Sequence, residues 1–269
     1  MKPITLVFST GRSGTTLLAT LLSRVHGSYA ENNYEMIGPD NHGVDQHRFS
    51  SVRGKNKIDP SIGHKFVGQF LERVKNYPCQ HFTYCGSEIL DGFIEHFWSY
   101  DVYPNVIILR RNPRDVAISL LLLGWAPVPN DKWSWNDYFA YPSEPGTLPF
   151  AWHNVHPYQC AFWYCCHVEW KIWNYMEDLI LHNTKIWETT TEQILDIDHF
   201  NSMLSFLNLP NVSTIPQDKV HSLDGYKWGR VPTPDELTKM EDEVLHTLPE
   251  DFKVYLRQKN PWAIEPVRI

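Results

Sequence analysis

This chain lacks a basic surplus. Across 269 residues, 24 Lys and Arg stand against 31 Asp and Glu, a formal net charge of −7. Affinity for polyanions is mostly electrostatic, so DNA, RNA or a long sulfated polysaccharide is not the expected ligand. Nor does any apolar run approach a membrane span, and the N-terminus lacks the basic-then-apolar pattern of a secretory signal, so the cytoplasm is the expected location. Cysteine is scarce: five residues, at 79, 85, 160, 165 and 166, show neither zinc-site spacing nor a disulfide framework. Cys165-Cys166-His167 looks reactive but shares a helical apolar pattern with Phe162, Trp163, Trp170, Trp173 and Met176, which favours packing. Internal repeats and low-complexity linkers are missing as well, so 1–269 reads as one domain, long enough to bury a sizeable core.

What the chain does have begins near its start. An apolar run, Leu6-Val7-Phe8, enters Ser9-Thr10-Gly11-Arg12-Ser13-Gly14-Thr15-Thr16, a glycine- and hydroxyl-rich turn that opens a helix. Gly11 and Gly14 let the backbone bend so that several N–H groups face one anion, and the helix N-terminus and the hydroxyls add to the attraction. Arg12 contributes a full charge. The alternative is a tight strand-to-helix turn without a ligand. A nucleoside-triphosphate loop would place lysine directly after the second glycine, whereas Thr15 follows Gly14 here. The expected ligand is therefore a different phosphorylated donor.

A second run, Val106-Ile107-Ile108-Leu109-Arg110-Arg111-Asn112-Pro113-Arg114-Asp115, reads as a buried parallel strand followed by a helix with Asn112 as cap and Pro113 as first residue. Three arginines gather where the strand ends, the edge at which open α/β sheets bind ligands. For Arg114 and Asp115 the alternative is a solvated surface pair.

Together the two segments resemble the sulfotransferases that use 3′-phosphoadenosine 5′-phosphosulfate (PAPS), whose 5′-phosphosulfate loop is similar to 9–18 and whose 3′-phosphate segment is similar to 111–119. The resemblance implies that Gly11, Arg12, Ser13, Gly14, Thr15 and Thr16 hold the 5′ end, and that Arg111 and Ser119 hold the 3′-phosphate. Lys185-Ile186-Trp187-Glu188-Thr189 resembles a later family strand but has Trp187 in place of tyrosine and Thr189 in place of aspartate. Lys227, Gly229 and Arg230 resemble the loop that closes over the donor, with ordinary surface charge as the alternative for the two cations.

The coarse order is a strand over 4–9, a helix over 15–25, strands over 82–85 and 106–109, helices over 113–123 and 159–181, then two capping boxes, Thr189 with Glu192 and Thr233 with Glu236. This alternation implies an α/β fold, a mostly parallel sheet flanked by helices, and the resemblance implies that the sheet is of P-loop type. The stretch 124–158 interrupts it with Trp125, Trp133, Trp135, Tyr138, Phe139, Tyr141, Phe150, Trp152 and Tyr158 among prolines. Such an insertion reads as a binding loop forming an apolar wall around an acceptor, or as a surface loop burying its rings on the core.

The expected reaction is sulfuryl transfer from PAPS to a hydroxyl or amine of a small, partly apolar acceptor, releasing 3′,5′-adenosine diphosphate without a metal. Arg12 is the expected stabiliser of the leaving group; always protonated, it cannot be the base. In some relatives the base is a glutamate after the first helix, a place close to Glu31; in others it is a histidine after a central strand, where Gly86-Ser87-Glu88 stands here. Glu31 and Glu88 are thus the two candidate bases, with His26 and His42 in reserve. The competing classes are a P-loop kinase of small molecules and a nucleotide-binding protein without chemistry.

Overall fold

The structure, a computed structural model, describes residues 1–10, 13–32, 60–85, 93–124, 147–151, 155–215 and 231–259. Five strands, β1 (Ile4–Phe8), β2 (Ser28–Asn32), β3 (His81–Cys85), β4 (Asn105–Arg110) and β5 (Ile186–Thr190), form one parallel sheet in the order β2-β3-β1-β4-β5. Leu6 is in register with Val106, and Ile108 with Glu188. β1, β3 and nearly all of β4 are buried because both faces of the sheet are covered, as in parallel sheets generally.

Alternation along the strands divides the core. Ile4, Leu6, Phe8, Val106 and Ile108 face one layer, made by α2 (Pro60–Asn76), α3 (Phe93–Trp98), α4 (Pro113–Leu122), the long α5 (Pro157–Leu181), α7 (Pro234–Thr247) and α8 (Glu250–Lys259). Val7, Ile107 and Leu109 face the other, made by α1 (Thr15–Ser23) and α6 (Ile197–Phe206). Among the described residues no helix is long and apolar enough to cross a membrane.

Local signals account for most of these elements. Asn112 accepts a hydrogen bond from the Arg114 N–H at 2.9 Å and Pro113 opens α4. Thr233 and Glu236 form the expected capping box at the start of α7. The other expected box, Thr189 with Glu192, does not form. Thr189 is buried on β5 beside His199, and Thr190 makes the turn, accepting from the Gln193 N–H at 3.2 Å while its own N–H donates to Gln193 Oε1 at 2.9 Å. A short 3₁₀ turn, Gln193–Leu195, results. The irregular stretch also ends earlier than 158. Pro157 and Tyr158 already belong to α5, capped by a reciprocal pair between His156 and Gln159.

Candidate active site

The chain runs from β1 out to β2 and β3 on one side, then crosses to β4 and β5 on the other. The crevice between the carboxyl ends of β1 and β4 is therefore the topological switch point, where open α/β sheets take their ligands. Both segments singled out in the sequence meet at this edge. Ser9, Thr10, Arg110, Arg111, Cys165 and Glu169 are among the residues lining one small recess there.

On the β1 side, the hydroxyls of Thr10 and Ser13 are hydrogen-bonded to each other. Gly14 sits at φ +84°, a left-handed conformation that favours glycine, and as the N-cap of α1 it has no side chain to offer the helix's first N–H groups. Thr15 is buried and Thr16 half-buried at the helix start. A left-handed glycine at a helix start is a backbone arrangement able to turn N–H groups toward an anion. Gly11 and Arg12 lie outside the described residues.

On the β4 side the three arginines have different fates. Arg110 is buried beneath α5, where Nε and Nη2 donate to Glu169 at 2.8 and 2.9 Å and Nη1 donates to Glu188 at 2.6 Å. Burial disfavours its charge, but the two carboxylates outweigh that and hold its pKa above the ordinary arginine value. Tyr255 of α8 donates to Glu169 Oε1 at 2.7 Å. Burial, then Glu169, pushes the Tyr255 phenol up, so it remains a donor. Arg114 does not pair with Asp115. It grips Glu241 of α7 through Nε and Nη2, at 2.8 and 2.6 Å, while the Tyr158 hydroxyl donates to the same carboxylate. Two of the three arginines thus serve protein carboxylates. Arg111, half-buried, lines the recess beside Ser9 and Thr10.

Ser119 lies on α4, buried, and is not among the residues lining the recess. Glu31 belongs to β2, in register with Tyr84 of β3, and its side chain lies outside the described atoms. Glu88, His42, Lys227, Gly229 and Arg230 lie outside the described residues. Of the aromatic insertion, 125–146 and 152–154 also lie outside. The two described rings pack on the core: Phe150 stacks over Trp163 with centroids 6.4 Å apart, and Tyr158 is fully buried.

Cys165-Cys166-His167 belongs to the core as the helical pattern implies. Burial pushes the Cys165 and Cys166 thiols up and depresses His167, whose ring stacks on Trp163 at 5.1 Å. A thiol in that state is a poor nucleophile. Sequence reasoning overlooked Glu169, Glu188 and Thr191. Thr191 follows β5 and donates its hydroxyl to the Ser13 carbonyl at 2.6 Å.

Solved structures share this architecture. The sulfotransferase domain from the curacin biosynthetic pathway is 13% identical with a TM-score of 0.51, covering 79% of this chain and 76% of that one. The sulfotransferase domain from the Synechococcus PCC 7002 olefin synthase is 14% identical with a TM-score of 0.53, covering 98% and 96%. No protein-family model and no curated protein matches the sequence. The chain has a sulfotransferase fold.

Proposed function

We propose that this protein is a cytoplasmic, PAPS-dependent sulfotransferase acting on a hydroxyl or amine of a small-molecule acceptor. The observation that carries the reading is the recess at the β1/β4 switch point, with Thr10 of the anion loop on one wall and Arg111 on the other. Two phosphate-binding segments side by side suit a donor phosphorylated at both ends, and a positive-φ glycine at an uncapped helix start suits the end held by backbone amides.

In this reading Ser13, Gly14, Thr15 and Thr16, with Gly11 and Arg12, hold the 5′ phosphosulfate. Arg111 and Ser119 hold the 3′-phosphate, and Lys227, Gly229 and Arg230 close over the donor. Glu31, or Glu88 in its place, takes the acceptor's proton as the new S–O or S–N bond forms and the bond from sulfur to the bridging oxygen of the 5′-phosphate breaks. Arg12 and the loop amides neutralise the charge left on 3′,5′-adenosine diphosphate. Positioning and preorganised charge supply most of such a rate enhancement. The chain 1–269 acts as one domain, with the aromatic stretch that begins at 124 contributing to the acceptor side through rings other than Phe150 and Tyr158.

Thermal shift tests the donor: 3′,5′-adenosine diphosphate raises Tm more than ATP with magnesium, through preferential binding to the folded state. In the same assay Arg111→Ala loses the response to 3′,5′-adenosine diphosphate but keeps that to adenosine 5′-monophosphate. Equal or stronger stabilisation by ATP with magnesium points to a kinase. Labelled PAPS incubated with fractionated cell extract then identifies the acceptor, and tight binding without any labelled product points to a carrier of nucleotide.

A further inference from the structure

We infer that Thr191 is a positioning residue that sets the phosphate loop and ties it to the opposite wall of the crevice; the inference rests on the donor reading above. Three observations meet at this one side chain. Its hydroxyl donates to the Ser13 carbonyl at 2.6 Å, with the Arg110 carbonyl next at 3.3 Å. Its backbone N–H donates to that same Arg110 carbonyl at 2.9 Å. Its Cγ2 methyl lies 2.9 Å from where a Cβ on Gly14 would be. Thr191 therefore touches both the residue before Arg111 and the turn that opens α1.

The consequence follows from peptide geometry. In a trans peptide the C=O and the following N–H point in opposite directions. Holding the Ser13 carbonyl toward Thr191 turns the Gly14 N–H to the opposite side of that peptide. A hydroxyl has one hydrogen to give, and the shorter contact assigns it to Ser13. The Arg110 carbonyl keeps the backbone donor, which fixes the peptide leading into Arg111. The methyl group lies over Gly14, so the turn passes Thr191 at a distance that leaves no room for a side chain there. Sequence spacing could not reveal this bond, because its partners stand 178 residues apart.

The test compares Thr191→Val, which keeps the shape and the methyl but removes the donor, with Thr191→Ser, which keeps the donor. Dissociation constants are measured for 3′,5′-adenosine diphosphate, adenosine 5′-monophosphate and adenosine 3′-monophosphate, alongside Tm without ligand. The expected result is a loss of about tenfold for the two ligands with a 5′-phosphate in Thr191→Val, little change for the 3′-monophosphate, and recovery to within about threefold in Thr191→Ser. If Thr191→Val lowers Tm while all three affinities stay at wild-type values, the residue is merely structural and the inference is overturned. If the wild-type protein binds none of the three, the donor reading fails and takes the inference with it. Should Thr191→Val not fold, Thr191→Cys, a weak S–H donor, makes the same comparison.

Discussion

Arg110 and Glu169 are joined by two parallel hydrogen bonds, Nε to Oε2 at 2.8 Å and Nη2 to Oε1 at 2.9 Å, with side chains only 8% and 3% exposed. The pair joins the end of β4 to the middle of α5, and Tyr255 and Glu188 complete it from α8 and β5. Because both charges are desolvated, removing one leaves the other stranded, at a cost of about 3–5 kcal/mol. Arg110→Met is expected to lower Tm by about 10 °C in thermal unfolding. The double variant Arg110→Met/Glu169→Leu is expected to recover most of the loss. Additive losses would show that the two residues act separately.

Gly14 permits a second double-mutant test. Alanine there must adopt a φ of +84° and place its Cβ 2.9 Å from Thr191 Cγ2. The backbone penalty alone is about 1–2 kcal/mol. Thr191→Ser removes the obstructing methyl, so Gly14→Ala is expected to cost about 1 kcal/mol less in that background, read from denaturant midpoints. An unchanged cost would assign the whole penalty to backbone conformation.

Acid is expected to weaken the fold through His81. This residue is buried on β3 with Nε2 2.9 Å from the Thr5 hydroxyl, and burial lowers its pKa from 6.5 to about 4. A histidine depressed in the folded state is more readily protonated in the unfolded chain. Its contribution is therefore complete above pH 6.5 and is lost as pH falls toward and through 4, by about 3 kcal/mol at the limit. His167, depressed by burial in the same direction, steepens the decline. The observable is the slope of Tm between pH 6.5 and 4. It flattens in His81→Gln if the account is correct, and a slope equal to wild type would assign the acid sensitivity to other groups.

For the base, Glu31→Gln preserves shape and removes basicity. Turnover is expected to fall by roughly two to four orders of magnitude with donor affinity intact, while Glu88→Gln is mild. The reverse pattern transfers the role to Glu88. Activity retained in both excludes a carboxylate base at either position.

The segments legible in the sequence are those whose signals are local. The β1 and β4 runs are uninterrupted apolar strands, Asn112-Pro113 marks a helix start, and the apolar spacing of α5 persists over many turns. β2 escaped notice because Ser28-Tyr29-Ala30-Glu31-Asn32 is an edge strand with little apolar content. The helices α2, α3 and α8 escaped as well, though α2 buries Val67, Phe70, Leu71 and Val74 at helical spacing. The arginine cluster shows the deeper limit. Its residues are adjacent in sequence, yet what separates their roles is distant: Glu169 stands 59 residues from Arg110, and Glu241 127 residues from Arg114. No spacing rule reaches across such intervals, so sequence alone could not show that Arg110 and Arg114 of this cluster are structural anchors.

The central place of β1 also governs the order in which this protein can assemble. The first strand made must wait for β3 and β4, its neighbours on either side, before either edge is closed. At about 5–20 residues per second, several seconds of synthesis separate it from β4, during which an apolar strand with two open edges emerges unpaired. Such non-local pairing slows folding and exposes the nascent chain to aggregation. The strand that leads into the glycine-rich turn is thus made before both of its neighbours and is enclosed only when β4 arrives.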